Sequence, residues 1–256
     1  MKLKEFGSEN RETILLLHGG GLSWWNYQAE AEILQTDYHV VLPILDGHAD
    51  SDRPFTSIED NASELIAYLD EALGGTVLLI GGLSLGAQIA LEMLAQRRDI
   101  CRYALIESAC VIPSKLTNAL IGPAFGSSWG LVKNRRFAKL QFKFLHMNAS
   151  FFEAYYRDSC KIAKADMIAF LKANTAYSLK ASIADTTARV HVLAGGKENR
   201  KILTSAEVIK SGIPGCAGHI LPRLFHGEFS LNYPERYAAY LKALFLLEER
   251  AREAVP

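Results

Sequence analysis

The sequence predicts an α/β fold with a mostly parallel central sheet flanked by helices. Three observations predict it. Short apolar runs end at glycine or an acidic residue, helical periodicities lie between them, and a Gly-x-Ser-x-Gly turn joins one run to a helix. The runs are Ile14–Leu17, Val40–Leu45, Val77–Ile80, Tyr103–Ile106 and Val190–Leu193. Each is continuous rather than alternating in polarity, as expected of strands covered on both faces.

Between the second and third runs, Ser57-Ile58-Glu59-Asp60 offers a helix cap. Ile58, Ala62, Leu65, Leu69 and Leu73 follow at helical spacing, and Gly74-Gly75 stops the helix. Strand, helix, strand in succession is the arrangement that builds parallel sheets. The alternation breaks from about Val111 to Asp185, where aromatic residues are dense and no strand-like run occurs. This stretch is expected to be a mainly helical insertion, with Ser150 to Glu153 capping one of its helices. The sheet resumes at Val190, and Pro234 to Arg250 reads as a closing amphipathic helix.

Composition sets the broad class. The chain has 256 residues, 28 basic and 28 acidic side chains, 49% hydrophobic residues and 22% charged ones. Such a chain can bury a full core and is not disordered. A net charge of zero argues against a nucleic-acid partner. Met1 to Glu5 lacks an apolar stretch after its basic residues, and no run approaches the ~18 residues of a membrane span, so neither a secretory signal nor stable membrane insertion is expected. Cys101, Cys110, Cys160 and Cys216 are scattered, which suggests buried thiols and a reducing, cytoplasmic setting.

The segment with most chemical content runs from Val77 to Ala90: an apolar run, then Gly82-Leu83-Ser84-Leu85-Gly86, then a helical pattern. A serine on so tight a turn sits in strained backbone, and its neighbours two residues away on each side must be almost free of side chain. Gly82 and Gly86 meet that demand. A serine hydroxyl needs a base, and the base needs a carboxylate. His226 follows an apolar run and precedes the last helix, while Glu198 lies just past Val190–Leu193. Serine, acid, histidine is the chain order expected when all three sit at the carboxyl edge of the sheet.

With His18-Gly19-Gly20-Gly21 after one strand and Pro43-Ile44-Leu45-Asp46-Gly47-His48 after the next, these motifs resemble the α/β-hydrolase superfamily, of the small, cap-containing serine esterase type. The resemblance covers most of Ile14–Pro54, Val77–Ser108 and Arg189–Arg250 and is weak across the insertion. It implies an α/β-hydrolase core from residues 1–110 and 186–256 with a helical cap (lid) from 111–185. Because only Met1–Arg11 precedes the first central strand, it also implies a shortened N-terminal strand region. The implied catalytic residues are Ser84 as nucleophile, His226 as base and Glu198 as acid. The implied oxyanion hole is formed by the amides of Gly20 and Leu85, with Gly21 as the fallback donor.

Glu107, at the end of its strand, is the rival acid, with Asp185 a more distant third. His219 is the rival base, but Pro234-Glu235 follows His226 at the spacing the family favours. His18 is expected to be a structural hydrogen-bonder, and His39, His48, His146 and His191 surface or strand-end residues. Lys133, Arg135, Arg136, Lys139 and Lys143, interleaved with aromatics, read as the solvated basic face of an amphipathic helix in the insertion, with a membrane or nucleic-acid patch, or a face reached by an anionic substrate group, as the alternatives.

The resemblance implies a serine hydrolase cleaving a carboxylic ester or related acyl compound through an acyl-enzyme, with no cofactor and no metal. Acyl transfer, lactone opening or carbon–carbon hydrolysis on the same residues is the alternative, as is a ligand receptor or signalling protein of this fold. The expected partner is a small-molecule acyl substrate, with a homodimer possible on the sequence alone.

Overall fold

A computed structural model describes residues 2–253, including all side chains except those of residues 127, 128 and 247–253. The chain opens with β1 (Leu3–Phe6) and β2 (Thr13–Leu17), followed by α1 (Gln28–Leu34) and β3 (His39–Pro43). Next come α2 (Ile58–Ala72), β4 (Val77–Leu83), α3 (Leu85–Gln96) and β5 (Cys101–Glu107). Four helices intervene: α4 (Lys115–Val132), α5 (Arg135–Phe144), α6 (Phe152–Lys161) and α7 (Lys164–Ala176). The chain then forms β6 (Arg189–Gly195), α8 (Arg200–Gly212), β7 (Ala217–Leu221), α9 (Glu228–Asn232) and α10 (Pro234–Glu253).

The strands join in one sheet in the order β1-β3-β2-β4-β5-β6-β7. β1 runs antiparallel to β3, and the remaining pairs are parallel. The order reverses at β2, whose following loop leads to β3 on one side while β4 lies on the other. Loops leaving β2 and β4 therefore part at the carboxyl edge and open a crevice, the usual ligand position in such sheets.

The continuous apolar runs form strands because helices cover both faces. Leu15, Leu17, Ile80 and Ile106 pack with α2 and α3 through Leu65, Leu69, Ile89 and Met93. Ile14, Leu16, Leu79 and Leu105 face the other way, with Leu34, Tyr237, Leu241 and Phe245 of α1 and α10. Each side chain fully buried in this manner contributes about 1.5–3 kcal/mol. The α2 cap forms as expected, with Ser57 Oγ accepting from Asp60 N at 2.9 Å. Gly74 and Gly75 end the helix at φ 69° and 86°.

Two elements differ from the sequence expectation. The cap near residue 150 is Asn148, whose Oδ1 accepts from Ser150 N at 3.0 Å, so Ser150 is capped rather than capping. His219 lies on β7, a strand the apolar pattern did not reveal. Its ring stacks on His191 with centroids 5.8 Å apart, which spends it on the sheet edge.

The insertion is tied to the loops and to α3 beside the sheet by buried and part-buried polar groups. Trp25 Nε1 donates to Asp158 Oδ2 at 2.8 Å, and Phe55 N donates to Asp166 Oδ1 at 2.9 Å. Gln88 on α3 and Asn174 on α7 exchange two bonds, Asn174 Nδ2 to Gln88 Oε1 and Gln88 Nε2 to Asn174 O, both at 2.9 Å. Buried amides carry a large penalty if unpaired, so these pairs fix where the insertion sits. Among the described residues, no helix is long and apolar enough to cross a membrane.

Candidate active site

Ser84 stands between β4 and α3 at φ 52° and ψ −108°, a region that costs a non-glycine residue roughly 1–3 kcal/mol. The close packing that holds it there explains the flanking glycines. A Cβ on Gly82 would lie 2.4 Å from the Gly86 carbonyl, and one on Gly86 would lie 2.1 Å from the Leu17 carbonyl oxygen. Ser84 N donates to the Glu107 carbonyl at 2.9 Å, which pins the turn to the end of β5. The amino end of α3 follows at once, so unpaired N–H groups and a positive helix end lie beside Oγ.

The loop after β2 closes the other side. His18 is buried, and its Nε2 accepts from Leu45 N at 3.1 Å, so Nδ1 carries the proton and donates to Gly19 O at 2.9 Å. Burial first, and the nearby His48 second, hold its pKa well below the ordinary value. His18 thus acts as a strut between the loops after β2 and β3, the structural role expected of it. Gly19 N donates to Asn26 Oδ1 at 3.1 Å, and Leu22 N donates to Gly19 O at 3.1 Å. Among the described residues, the Gly20 and Leu85 amides have no internal acceptor. A Cβ on Gly20 would lie 3.5 Å from Leu85 Cβ, which places these two backbone segments side by side.

Glu198 sits on the turn after β6 with its carboxylate wholly covered. Oε2 accepts from His226 Nδ1 at 2.6 Å, while Oε1 accepts from Ser108 Oγ at 2.7 Å and from Gly195 N at 2.8 Å. Burial would raise its pKa, but the bond and charge of His226, with the other two donors, hold it below the ordinary value. His226 is about half exposed, on the loop that links β7 to α9. That loop rides on the turn that bears Glu198. Lys197 N donates to Leu224 O at 2.9 Å, and a Cβ on Gly195 would lie 2.4 Å from the same oxygen.

Glu107, the rival acid, points elsewhere. It is 2% exposed, its Oε1 accepts from Ser230 N at 3.3 Å, and its Oε2 has no partner among the described residues. Burial pushes its pKa up to about 7. Asp185 is exposed, beside Thr186 and Thr187, which bond to the carbonyl of Arg98 before β5; it is therefore remote from the crevice.

No local pattern in the chain points to Ser108. It is buried at φ 57°, donates to Glu198, and its Oγ accepts from Gly227 N at 3.2 Å, which links the Glu198 carboxylate to the loop that carries His226. His39 is the strand-end residue expected, though a buried one, whereas His48 is neither at a strand end nor on the surface. His39 lies at the start of β3 with Nε2 2.7 Å from Glu5. His48 stacks on Phe170 of α7 at 4.5 Å, where burial lowers its pKa to about 4. A Gly-His pair followed by polar residues resembles an exposed loop; the insertion covering it is what the local sequence does not reveal.

Ser84 and His226 line one cavity of about 210 Å³, together with Gly20, Gly21 and residues of the insertion. Its walls include Phe125, Leu145, Met147, Met167, Phe170 and Leu231, with Gln141, Tyr155 and Ser159 as polar points and, among the described residues, no Asp, Glu, Lys or Arg. A larger hollow of about 740 Å³ lies at the opposite edge of the sheet, but there burial raises the pKa of its one thiol, Cys101, to about 12.

The profile of the alpha/beta hydrolase family matches residues 14–240. The chain belongs to this family. The seven-stranded, mostly parallel sheet is accordingly an α/β-hydrolase fold. None of the curated proteins matches this family member. Among solved structures it is similar to an esterase from Exiguobacterium antarcticum, with a TM-score of 0.79, 17% identity and 94% of each chain covered. It is also similar to a thermophilic esterase from Thermogutta terrifontis, with a TM-score of 0.77, 17% identity and 95% and 92% coverage. A hydrolase-family protein from Desulfitobacterium hafniense gives 0.76 at 24% identity, with 95% and 100% coverage. At these identities the likeness is one of fold.

Proposed function

We propose that this hydrolase cleaves carboxylic esters through an acyl-enzyme formed on Ser84, with His226 as general base and acid and Glu198 as its orienting carboxylate. The observation that carries the reading is the 2.6 Å bond from His226 Nδ1 to the covered Glu198 carboxylate, on a histidine that shares a cavity with Ser84. A proton held at Nδ1 leaves the lone pair of neutral His226 on Nε2. Ser84 Oγ attacks the carbonyl carbon as its proton passes to Nε2. The resulting oxyanion is held by the Gly20 and Leu85 amides, backed by the α3 helix end. The imidazolium then gives the proton to the leaving alcohol, and water repeats the sequence to release the acid. Glu198 stabilises the imidazolium at each step.

The walls of the cavity support a neutral, largely apolar acyl group of modest size, because no ionised side chain is available there to pair with a charged one. In this reading residues 111–185 form a cap on a core made of 1–110 and 186–256. The esterases among the structural neighbours support the same reaction class. The test is mass-spectrometric mapping after treatment with a fluorophosphonate, alongside hydrolysis of a short-chain nitrophenyl ester series. An adduct on Ser84 that is lost in His226→Ala, with ester turnover abolished in Ser84→Ala, is the expected result. Turnover unchanged in Ser84→Ala would overturn the assignment.

A further inference from the structure

Between Ser108 and Phe152 the chain carries six cations, Lys115, Lys133, Arg135, Arg136, Lys139 and Lys143, and no Asp or Glu, although the whole chain is neutral. The structure places large apolar side chains in solvent on the same two helices. Leu116, Leu120 and Leu131 are 74%, 56% and 43% exposed along α4, and Leu140 and Phe144 are 54% and 74% exposed on α5. On α5 the buried positions are Ala138 and Phe142, so Arg136, Leu140 and Phe144 repeat along the outer face with Lys139 and Lys143 beside them. Arg135 is paired with Glu153 and leans on the Phe152 and Tyr156 rings. The other cations of this face form no ion pair with an acid among the described residues. Lys164 and Lys172 of α7 add two more exposed cations next to α4: Lys164 bonds the Gly126 carbonyl, and Lys172 Nζ lies 3.9 Å from where a Gly122 Cβ would be.

We infer that the outer face of α4 and α5 docks reversibly on an anionic lipid surface. Exposed Leu and Phe on a helix whose flanks are Lys and Arg match the acyl and headgroup layers of a bilayer, with long cationic stems reaching out to lipid phosphates. A second copy of this chain fits poorly, because a two-fold contact would set these cations against themselves. RNA fits poorly as well, because the exposed apolar groups are mostly leucines, which offer bases no ring to stack on. Gln141 and Leu145 lie on the same stretch and line the cavity, so the docking helices also form part of its wall.

The test is co-sedimentation of the full chain with phosphatidylglycerol–phosphatidylcholine vesicles, with pure phosphatidylcholine vesicles and with a single-stranded RNA. The expected result is binding to the anionic vesicles that weakens with added salt. Lys139→Glu with Lys143→Glu, and separately Leu140→Ser with Phe144→Ser, should each reduce it by about tenfold or more. These side chains are exposed and do not line the cavity, so melting temperature and hydrolysis of a soluble ester stay at wild-type levels in both variants. No vesicle binding, equal binding to neutral vesicles, or RNA binding without vesicle binding overturns the inference. Sedimentation requires no turnover, so its outcome is independent of the esterase assignment.

Discussion

Replacing Glu107 by glutamine removes a buried ionisable group while preserving its shape and its acceptor for Ser230 N. In the native protein this carboxyl titrates at about 7 instead of the ordinary 4.5, because burial disfavours the charge. The folded state therefore holds a proton that the unfolded chain has released over that interval. Stability must fall as pH rises from about 4.5, and the loss is complete above about 7. A rise of this size corresponds to about 3 kcal/mol of differential stability. Burial raises the pKa of Glu30, and the Glu107 charge raises it further; the variant lacks that charge, and its loss acts in the same direction in the comparison. Urea unfolding at intervals from pH 5 to pH 8 should show Glu107→Gln close to wild type at the acid end. At pH 8 the variant should be more stable by up to about 3 kcal/mol. A difference between the two proteins that stays flat across this range would refute the claim that Glu107 is buried in its neutral form.

The two acids should separate in turnover. Glu198→Gln is expected to lower kcat by about 10³-fold or more in an ester assay, and Glu107→Gln to leave it nearly unchanged. Reversed outcomes would move the acid to the end of β5. Ser108→Ala deletes one bond to an ionised carboxylate, a loss of about 1.5–3 kcal/mol, so kcat should fall roughly 10- to 100-fold with KM little altered. Steady-state kinetics check both. Gly86→Ala would drive a methyl to 2.1 Å from the Leu17 oxygen, and a thermal melt should show a large drop in midpoint or no folded protein at all.

What could be read from the sequence was whatever a short window determines. Five strands announced themselves because burial on both faces makes their residues continuously apolar. β1 and β7 sit at the sheet edges, where Lys4, Glu5 and His219 are tolerated in partly exposed positions, so neither carries that mark. Ser84 was legible because the backbone crowding at its turn demands two glycines at fixed spacing. Ser108 was not, since a serine after a strand is ordinary and its role arises from Glu198 and Gly227, each about a hundred residues away in the chain. The burial of His48 failed to show for the same reason: Phe170, which covers it, belongs to the insertion.

The place of that insertion has a consequence in chain statistics. Residues 108–188 form an excursion whose two ends are already fixed about one strand length apart, at opposite edges of the sheet, because β5 and β6 are parallel neighbours. Closing a longer excursion between fixed ends costs only about 0.6 kcal/mol for each doubling of its length. The sheet can therefore tolerate large changes in this stretch, which supplies half of the cavity wall, while the turns that bear Ser84, Glu198 and His226 keep their positions. Selection can act on what enters the cavity almost independently of the strands that hold its chemistry.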